Sequence, residues 1–395
     1  MTHVRRIRPW PLLAWMFSGV LAIALVSCGG SSGDNAAAVP PPAATTASYA
    51  ASLTGDLEVA TPTITGGVGT GTLTFNPSTL AISGGITING ITATAAHIHQ
   101  ADAGVNGAVI VPLTESPSGS GNWVVPSGSV LTQAQATALT AGGLYFNAHT
   151  AANPGGDIRG QIGRSVFAVQ MSPAQEVPPY STGATGKGLL VLDPVSKKFS
   201  ARVSVSGMVS TAAHIHSAAI GVSGPVVIPL SETAAGSGVW VAAAESTMTD
   251  AQIALLNAGG LYFNVHSAVY PGGEVRGQIG RNIRYASLNG SQENPPTPST
   301  AVGTGILVID PVTRAASGSI TITGMTATAA HIHIAATGSN GPVIVPLTDT
   351  GGGVFIVPAG ASLTADQFRA FKQGELYFNA HSTTNPGGEI RGQIL

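Results

Sequence analysis

The chain has 395 residues, of which only 9% are charged, with 52 Gly, 26 Pro, one Cys and a formal charge of −2. An average soluble protein carries roughly 25% charged residues, so roles resting on a strong electrostatic field are disfavoured. No clustered Lys/Arg marks a nucleic-acid footprint. The Gly/Pro balance favours short strands joined by turns over a helical fold.

In chain order, Arg5, Arg6 and Arg8 precede the apolar stretch Leu12 to Val26, the layout of an export signal. The stretch ends in Leu25-Val26-Ser27-Cys28, which resembles the bacterial lipoprotein lipobox, with cleavage before Cys28. Fifteen apolar residues are short for a membrane span. Removing residues 1–27 with their three Arg leaves a formal charge of −5. Lipidation of Cys28 leaves no thiol, which excludes disulfides, cysteine nucleophiles and Cys-based metal sites. Gly29 after the cysteine resembles the pattern sent to the outer membrane. Residues 28–47 read as the lipidated Cys and a small, polar, Pro-rich tether unable to bury a core. The expected location is the cell envelope, with the membrane as partner through the lipid anchor.

Three copies of one pattern follow, expected over 48–163, 164–280 and 281–395. Each reads A-H-I-H, then L-Y-F-N-x-H, then P-G-G-[DE]-[IV]-R-G-Q-I. Nine of the ten histidines belong to it, and the His97, His214 and His331 positions are spaced by 117 residues. A period that long is a whole domain copied in tandem, not a solenoid turn. In the second copy, strand-like runs lie at Phe167 to Met171, Gly188 to Leu192, Phe199 to Ser206, Ala212 to His216, Val226 to Leu230, Gly238 to Ala242, Leu261 to His266 and Glu274 to Ile279. Seven or eight such strands predict an all-β, antiparallel sandwich in each copy, with closure into a barrel left open.

One short helix is expected per copy. Thr132 with Gln135, Thr249 with Gln252 and Thr364 with Gln367 fit the T-x-x-Q capping box. Met248 with Ile253 and Leu363 with Phe368 fit a hydrophobic staple, and Leu131 with Ala136 fits a weaker one. Gly142-Gly143, Gly259-Gly260 and Gly374 supply the stop. From Leu113 to Trp123 and from Leu230 to Trp240 is 10 residues, whereas Leu347 to Phe355 is 8, a deletion placed at a hairpin tip. Trp123, Trp240 and Phe355 are expected to plug the core. The linkers are so short that neighbouring copies are expected to touch, as a semi-rigid rod.

Side chains alternate faces along a strand. His97 and His99, His214 and His216, and His331 and His333 therefore project together, with Ile98, Ile215 and Ile332 opposite. The same rule groups Tyr145, Asn147 and His149, and it pairs Asp157 with Arg159. A third His 48–50 residues after the pair (His149, His266 or His381), with an acid 8 residues beyond it, suits zinc or copper. The competing reading is a structural or partner-facing network in which Asp157–Arg159, Glu274–Arg276, Glu389–Arg391 and Asn147, Asn264 and Asn379 brace the His set. Glu58, Glu176 and Glu293, flanked by Pro, are expected at strand edges or in loops rather than in an acid/base pair. No G-x-S-x-G or H-E-x-x-H motif appears.

The succession Q-E-V-P-P, L-D-P, A-A-H-I-H, G-P-V-V-I-P-L, L-Y-F-N-x-H and P-G-G-E-[IV]-R-G-Q-I resembles the CHRD domain, named for chordin, an extracellular antagonist of bone morphogenetic proteins. The likeness covers nearly all of 48–395. The first copy departs from it at Ala60-Thr61-Pro62 and at Ala108. The resemblance implies an extracellular β-domain of undefined biochemical role in bacteria, and chordin's growth-factor binding does not carry over. A looser likeness, to copper/zinc superoxide dismutase, implies copper ligands at His97, His99, His149 and their repeats. That enzyme needs a further His set and an Asp for a bridged two-metal site, and usually a disulfide, whereas each repeat here has three His and no Cys. The expected function is a non-enzymatic binding or scaffold module facing an unspecified protein or surface partner. The alternative is a copper- or zinc-binding protein for redox chemistry or metal capture.

Overall fold

The computed structural model describes residues 45–59 and 62–395. The export signal, Cys28, most of the tether and Ala60-Thr61 lie outside the described residues. Among the described residues no helix is long and apolar enough to cross a membrane.

All eight strands expected in the second copy are present, most of them longer by a residue or more. Each copy is one antiparallel sheet that curls nearly shut. In the first copy the order is Ala108–Pro112, Ala95–Gln100, Leu144–His149, Ile158–Gln161, Ala47–Thr54, Val68–Phe75, Ile82–Asn89, Asn122–Val124 and Thr114–Glu115. Its two outer strands are separated by Leu113 alone, so one run of chain links both sides of the sheet. The third copy repeats this with Val343–Pro346 and Thr348–Gly351. In the second copy Val226–Glu232 runs unbroken and pairs on both sides. The sheet ends there meet where Ser172 and Arg276 exchange backbone hydrogen bonds of 3.0 and 3.2 Å. The architecture is therefore barrel-like, and closure removes the free edges that a flat sheet would expose.

Alternation along each strand fills three separate cores. Ile98, Ile215 and Ile332 point inward at 0% exposure, as do Phe146, Phe263 and Phe378. Each such side chain contributes about 1.5–3 kcal/mol. Trp123, Trp240 and Phe355 lie within these cores, as expected.

The helices Gln133–Ala141, Asp250–Asn257 and Ala365–Gln373 all carry both hydrogen bonds of the capping box. Gly142 and Gly374 cap the first and third in the left-handed region. In the second, Ala258 is still right-handed and Gly259 makes the turn one residue later.

Neighbouring copies touch, as expected, but they do not form the expected semi-rigid rod. Arg164 pairs with Asp193 at 3.3 Å and Arg281 with Asp310 at 3.2 Å, each tying a linker to the next copy. The first and third copies also touch. Asp56 accepts from Lys372 Nζ at 2.8 Å and from Asn282 Nδ2 at 3.0 Å, and the Gly66 carbonyl accepts from Arg314 at 3.1 Å. With such short linkers, burying this shared surface costs little chain entropy, and the three copies close into a compact group.

Candidate metal centre

The His-x-His strand of each copy lies beside the L-Y-F-N-x-H strand, with His97 opposite Asn147, His99 opposite Tyr145 and Ala95 opposite His149. On its other side the outer strand bulges at Ile110, Val227 or Ile344, so the register shifts between Ile98 and His99, between Ile215 and His216 and between Ile332 and His333. The extra residue bends that neighbouring strand beside the second imidazole, while unbroken pairing with the L-Y-F-N-x-H strand keeps the imidazole on the outer face. The three imidazoles of each copy converge. Their nearest ring nitrogens lie within 4.8 Å of one another in the His97/His99/His149, His214/His216/His266 and His331/His333/His381 groups. Nδ1 of the first histidine faces Nε2 of the third at 3.1, 3.1 and 3.0 Å.

Backbone carbonyls set the tautomers. His99, His216 and His333 donate from Nδ1 to the carbonyls of Gly107, Gly224 and Gly341 at 2.9–3.0 Å. His149, His266 and His381 donate from Nδ1 to Pro154, Pro271 and Pro386 at 3.0–3.1 Å. A neutral ring that donates from Nδ1 keeps its lone pair on Nε2, so two lone pairs per copy are aimed at the cluster. Nε2 of His99, His216 and His333 is buried and has no protein partner. Burial, reinforced at most positions by the neighbouring imidazoles, holds all nine rings below the usual histidine range. They stand neutral at pH 7, the state a metal requires.

A second layer of residues holds the rings. The Tyr145 ring stacks on His99 at 4.9 Å and 14°, and the guanidinium of Arg159 covers the same ring at 3.5 Å. Because His99 and Arg159 come from strands on opposite sides of the tyrosine's strand, Tyr145 is sandwiched between them. Its hydroxyl accepts from the Gly107 amide at 3.0 Å, the same residue whose carbonyl receives His99. Tyr262 and Tyr377 repeat the arrangement. Glycine is compulsory at this hinge, since a Cβ on Gly107, Gly224 or Gly341 would lie 1.9–2.0 Å from a backbone oxygen. The tyrosine and this glycine were not singled out as site residues from sequence. The bulge and the loop that join them to the histidine leave no periodic trace.

The closing motif has other duties. The carboxylates do not join the imidazoles. Asp157 accepts from Thr150 at 2.6 Å and from Asn153 at 2.9 Å, and Glu389 accepts from Ser299 at 2.7 Å and from Ser382. The expected metal-binding acid is thus a turn brace, and Glu274 likewise stands outside the cluster. The acid–arginine pairs do not form either: among the described residues no ion pair links Asp157 to Arg159, Glu274 to Arg276 or Glu389 to Arg391. Arg159, Arg276 and Arg391 instead donate to loop carbonyls at Asp102, Ala219 and Val222, and Ala336 and Ser339. Gln161, Gln278 and Gln393 clamp the helix C-terminus to that loop. Asn147, Asn264 and Asn379 sit against Glu58, Glu176 and Glu293 rather than bracing the histidines. Those glutamates, expected at edges or in loops, are 9%, 6% and 7% exposed, at loop positions folded down onto the sheet.

Fold and site together define a class: a tandem array of small β-barrels, each with a tri-imidazole cluster on its outer face. The CHRD domain family model matches residues 49–162, 167–279 and 284–394, and the chain belongs to the CHRD-domain family as three full copies. No curated protein and no solved structure matches the chain.

Proposed function

We propose that each CHRD repeat binds one first-row transition metal ion, copper or zinc, and that the protein is a non-enzymatic metal-capture module with three sites. One observation carries this reading: in all three copies, three neutral imidazoles converge and backbone carbonyls fix the tautomers of two. A tetrahedral ion with bonds near 2.0–2.1 Å sets its donors about 3.4 Å apart. The first and third rings already match that spacing, and the second closes with a shift of roughly one ångström. Nitrogen-only donors favour copper or zinc over calcium or magnesium, which take oxygen. Carbonyls and an aromatic stack behind the ligands are the outer-shell features that orient metal-binding histidines. Three protein donors leave a coordination position for water or an exogenous ligand. Two of the rings in the first and third copies, His97 with His149 and His331 with His381, are partly exposed on that side.

We further propose export, anchoring to the envelope through lipidated Cys28, and display of the three barrels on the Pro-rich tether. The lipobox-like sequence and the absence of a second cysteine support this. The test is metal analysis by mass spectrometry of tag-free mature protein loaded with copper or zinc and desalted. Three ions per chain are expected, falling to two in His214→Ala/His216→Ala. At ligand 100-fold above its dissociation constant, each occupied site adds about 2.7 kcal/mol to its barrel. Metal-free protein with a melting temperature indifferent to both ions would overturn the reading.

A further inference from the structure

Beneath the P-G-G turn of each copy lies a second buried constellation that the imidazoles do not use. Glu58 packs against Asn147, Glu176 against Asn264 and Glu293 against Asn379. Each pair is backed by the second glycine of the turn: Gly156, Gly273 or Gly388. A Cβ on these glycines would fall 2.4–2.9 Å from the carboxyl and amide atoms, and their φ of +133° to +136° is itself glycine territory. In all three copies the same two atoms are buried without a hydrogen-bond partner: the glutamate Oε1 and the asparagine Oδ1. Both are acceptors, and the amide's only donor is Nδ2, which reaches Glu293 Oε2 at 3.4 Å in the third copy. Exchanging amide N and O relocates the deficit without curing it.

The surrounding charges do not supply the missing donor. Facing Glu58 are Arg159 and Asp157; facing Glu176 and Glu293 are Arg276 and Arg391. Those guanidiniums are committed to loop carbonyls and to Gln161, Gln278 and Gln393. Among the described residues no salt bridge joins any of them to these glutamates. Orphaned buried acceptors are costly, and the same deficit recurs in all three copies.

We propose that Glu58, Glu176 and Glu293 are carried as neutral carboxylic acids in the native protein, each donating its proton to the facing asparagine and latching the P-G-G turn onto the sheet. The proton gives the orphaned carboxyl and amide oxygens a shared hydrogen bond and removes a charge that burial disfavours. Burial, outweighing the pull of the nearby guanidinium, raises each of the three carboxyls to about 7, in keeping with this. The turn also carries Pro154, Pro271 and Pro386, whose carbonyls orient the third imidazole. Loss of the proton therefore loosens the turn beside the imidazoles. The latch stands whether or not the triads take metal.

The test uses metal-free, full mature chain and the triple variants Glu58→Gln/Glu176→Gln/Glu293→Gln and Glu58→Ala/Glu176→Ala/Glu293→Ala. Glutamine supplies permanently the N–H that the acid supplies only when protonated. The wild-type melting temperature should fall as pH rises from 6 to 9, the glutamine variant should be flat over that range and at least as stable at pH 9, and the alanine variant should be destabilised throughout. Infrared spectroscopy of the wild type in heavy water should show protonated carboxyl absorption at pH 6 that fades by pH 9. A glutamine variant that keeps the wild-type slope overturns the proposal, and so does one destabilised as much as the alanine variant at pH 9. A wild-type spectrum of carboxylates alone at pH 6 overturns it too, because another donor, such as an enclosed water, then fills the gap. If the glutamine variant does not fold, the infrared result decides.

Discussion

At the residue scale, the histidines and the buried glutamates pull stability in opposite directions with pH. The nine imidazoles are held below their unfolded value of 6.5. Their contribution is thus complete above that pH and is lost as pH falls through the lowered native values. The glutamates rise from 4.5 to about 7, so their contribution is complete below 4.5 and is lost as pH rises through 7. Metal-free protein should therefore be most stable between about pH 6 and 7, and urea midpoints measured from pH 4 to 9 should trace a dome. Added copper or zinc should extend the stable range on the alkaline side, where ligands need no deprotonation, and should fail to do so on the acid side.

The tyrosine behind each cluster gives a second prediction at the same scale. Tyr262→Phe keeps the stack on His216 and removes the hydroxyl that accepts from Gly224. A loss of about 1 kcal/mol in stability is expected. Tyr262→Ala also removes the wall that fixes His216, and metal affinity at the second site should fall roughly 10–100-fold, read by competition with a chromogenic chelator. Equal affinity in Tyr262→Ala and wild type would show that the stack does not orient the ring.

At the element scale, the helices and all eight strands of the second copy were visible in periodicity and capping chemistry, because those signals are local. The capping box is a case in point. Thr249 accepts from the Gln252 amide while Gln252 accepts from the Thr249 amide, and Thr249→Ala should cost about 1 kcal/mol, measurable as a lowered melting temperature of the second barrel. What periodicity did not carry is the bulge at Ile110, Val227 and Ile344, opposite His99, His216 and His333. A bulge depends on the register of the neighbouring strand, which no single run of sequence encodes. The same holds for the Q-E-x-P-P loops. Proline punctuation identified them as loops, yet each folds back and buries its glutamate under the following strands.

At the scale of the whole molecule, closure of the three barrels on one another replaces the expected rod. Asp56 is the joint, shared by Lys372 and Asn282 of the third copy. Asp56→Ala should leave each core intact and open the contact between the first and third copies. Small-angle scattering should then report a larger radius of gyration, with metal stoichiometry unchanged. An unaltered radius would mean that the Arg314–Gly66 contact and the linker pairs Arg164–Asp193 and Arg281–Asp310 hold the group without Asp56.

The 117-residue period, the alternation of strand faces and the cap residues are local or self-comparing features. For that reason the sequence alone determined three tandem β-domains, one helix in each, and a His-x-His pair sharing a face with a later histidine. Tertiary structure alone decided which atoms meet. It brought three imidazoles within 4.8 Å, turned the expected acid ligand into a turn brace and buried a glutamate against an asparagine. Those outcomes depend on barrel closure and on the register between strands distant in sequence, where a shift of one residue moves a side chain to the other face.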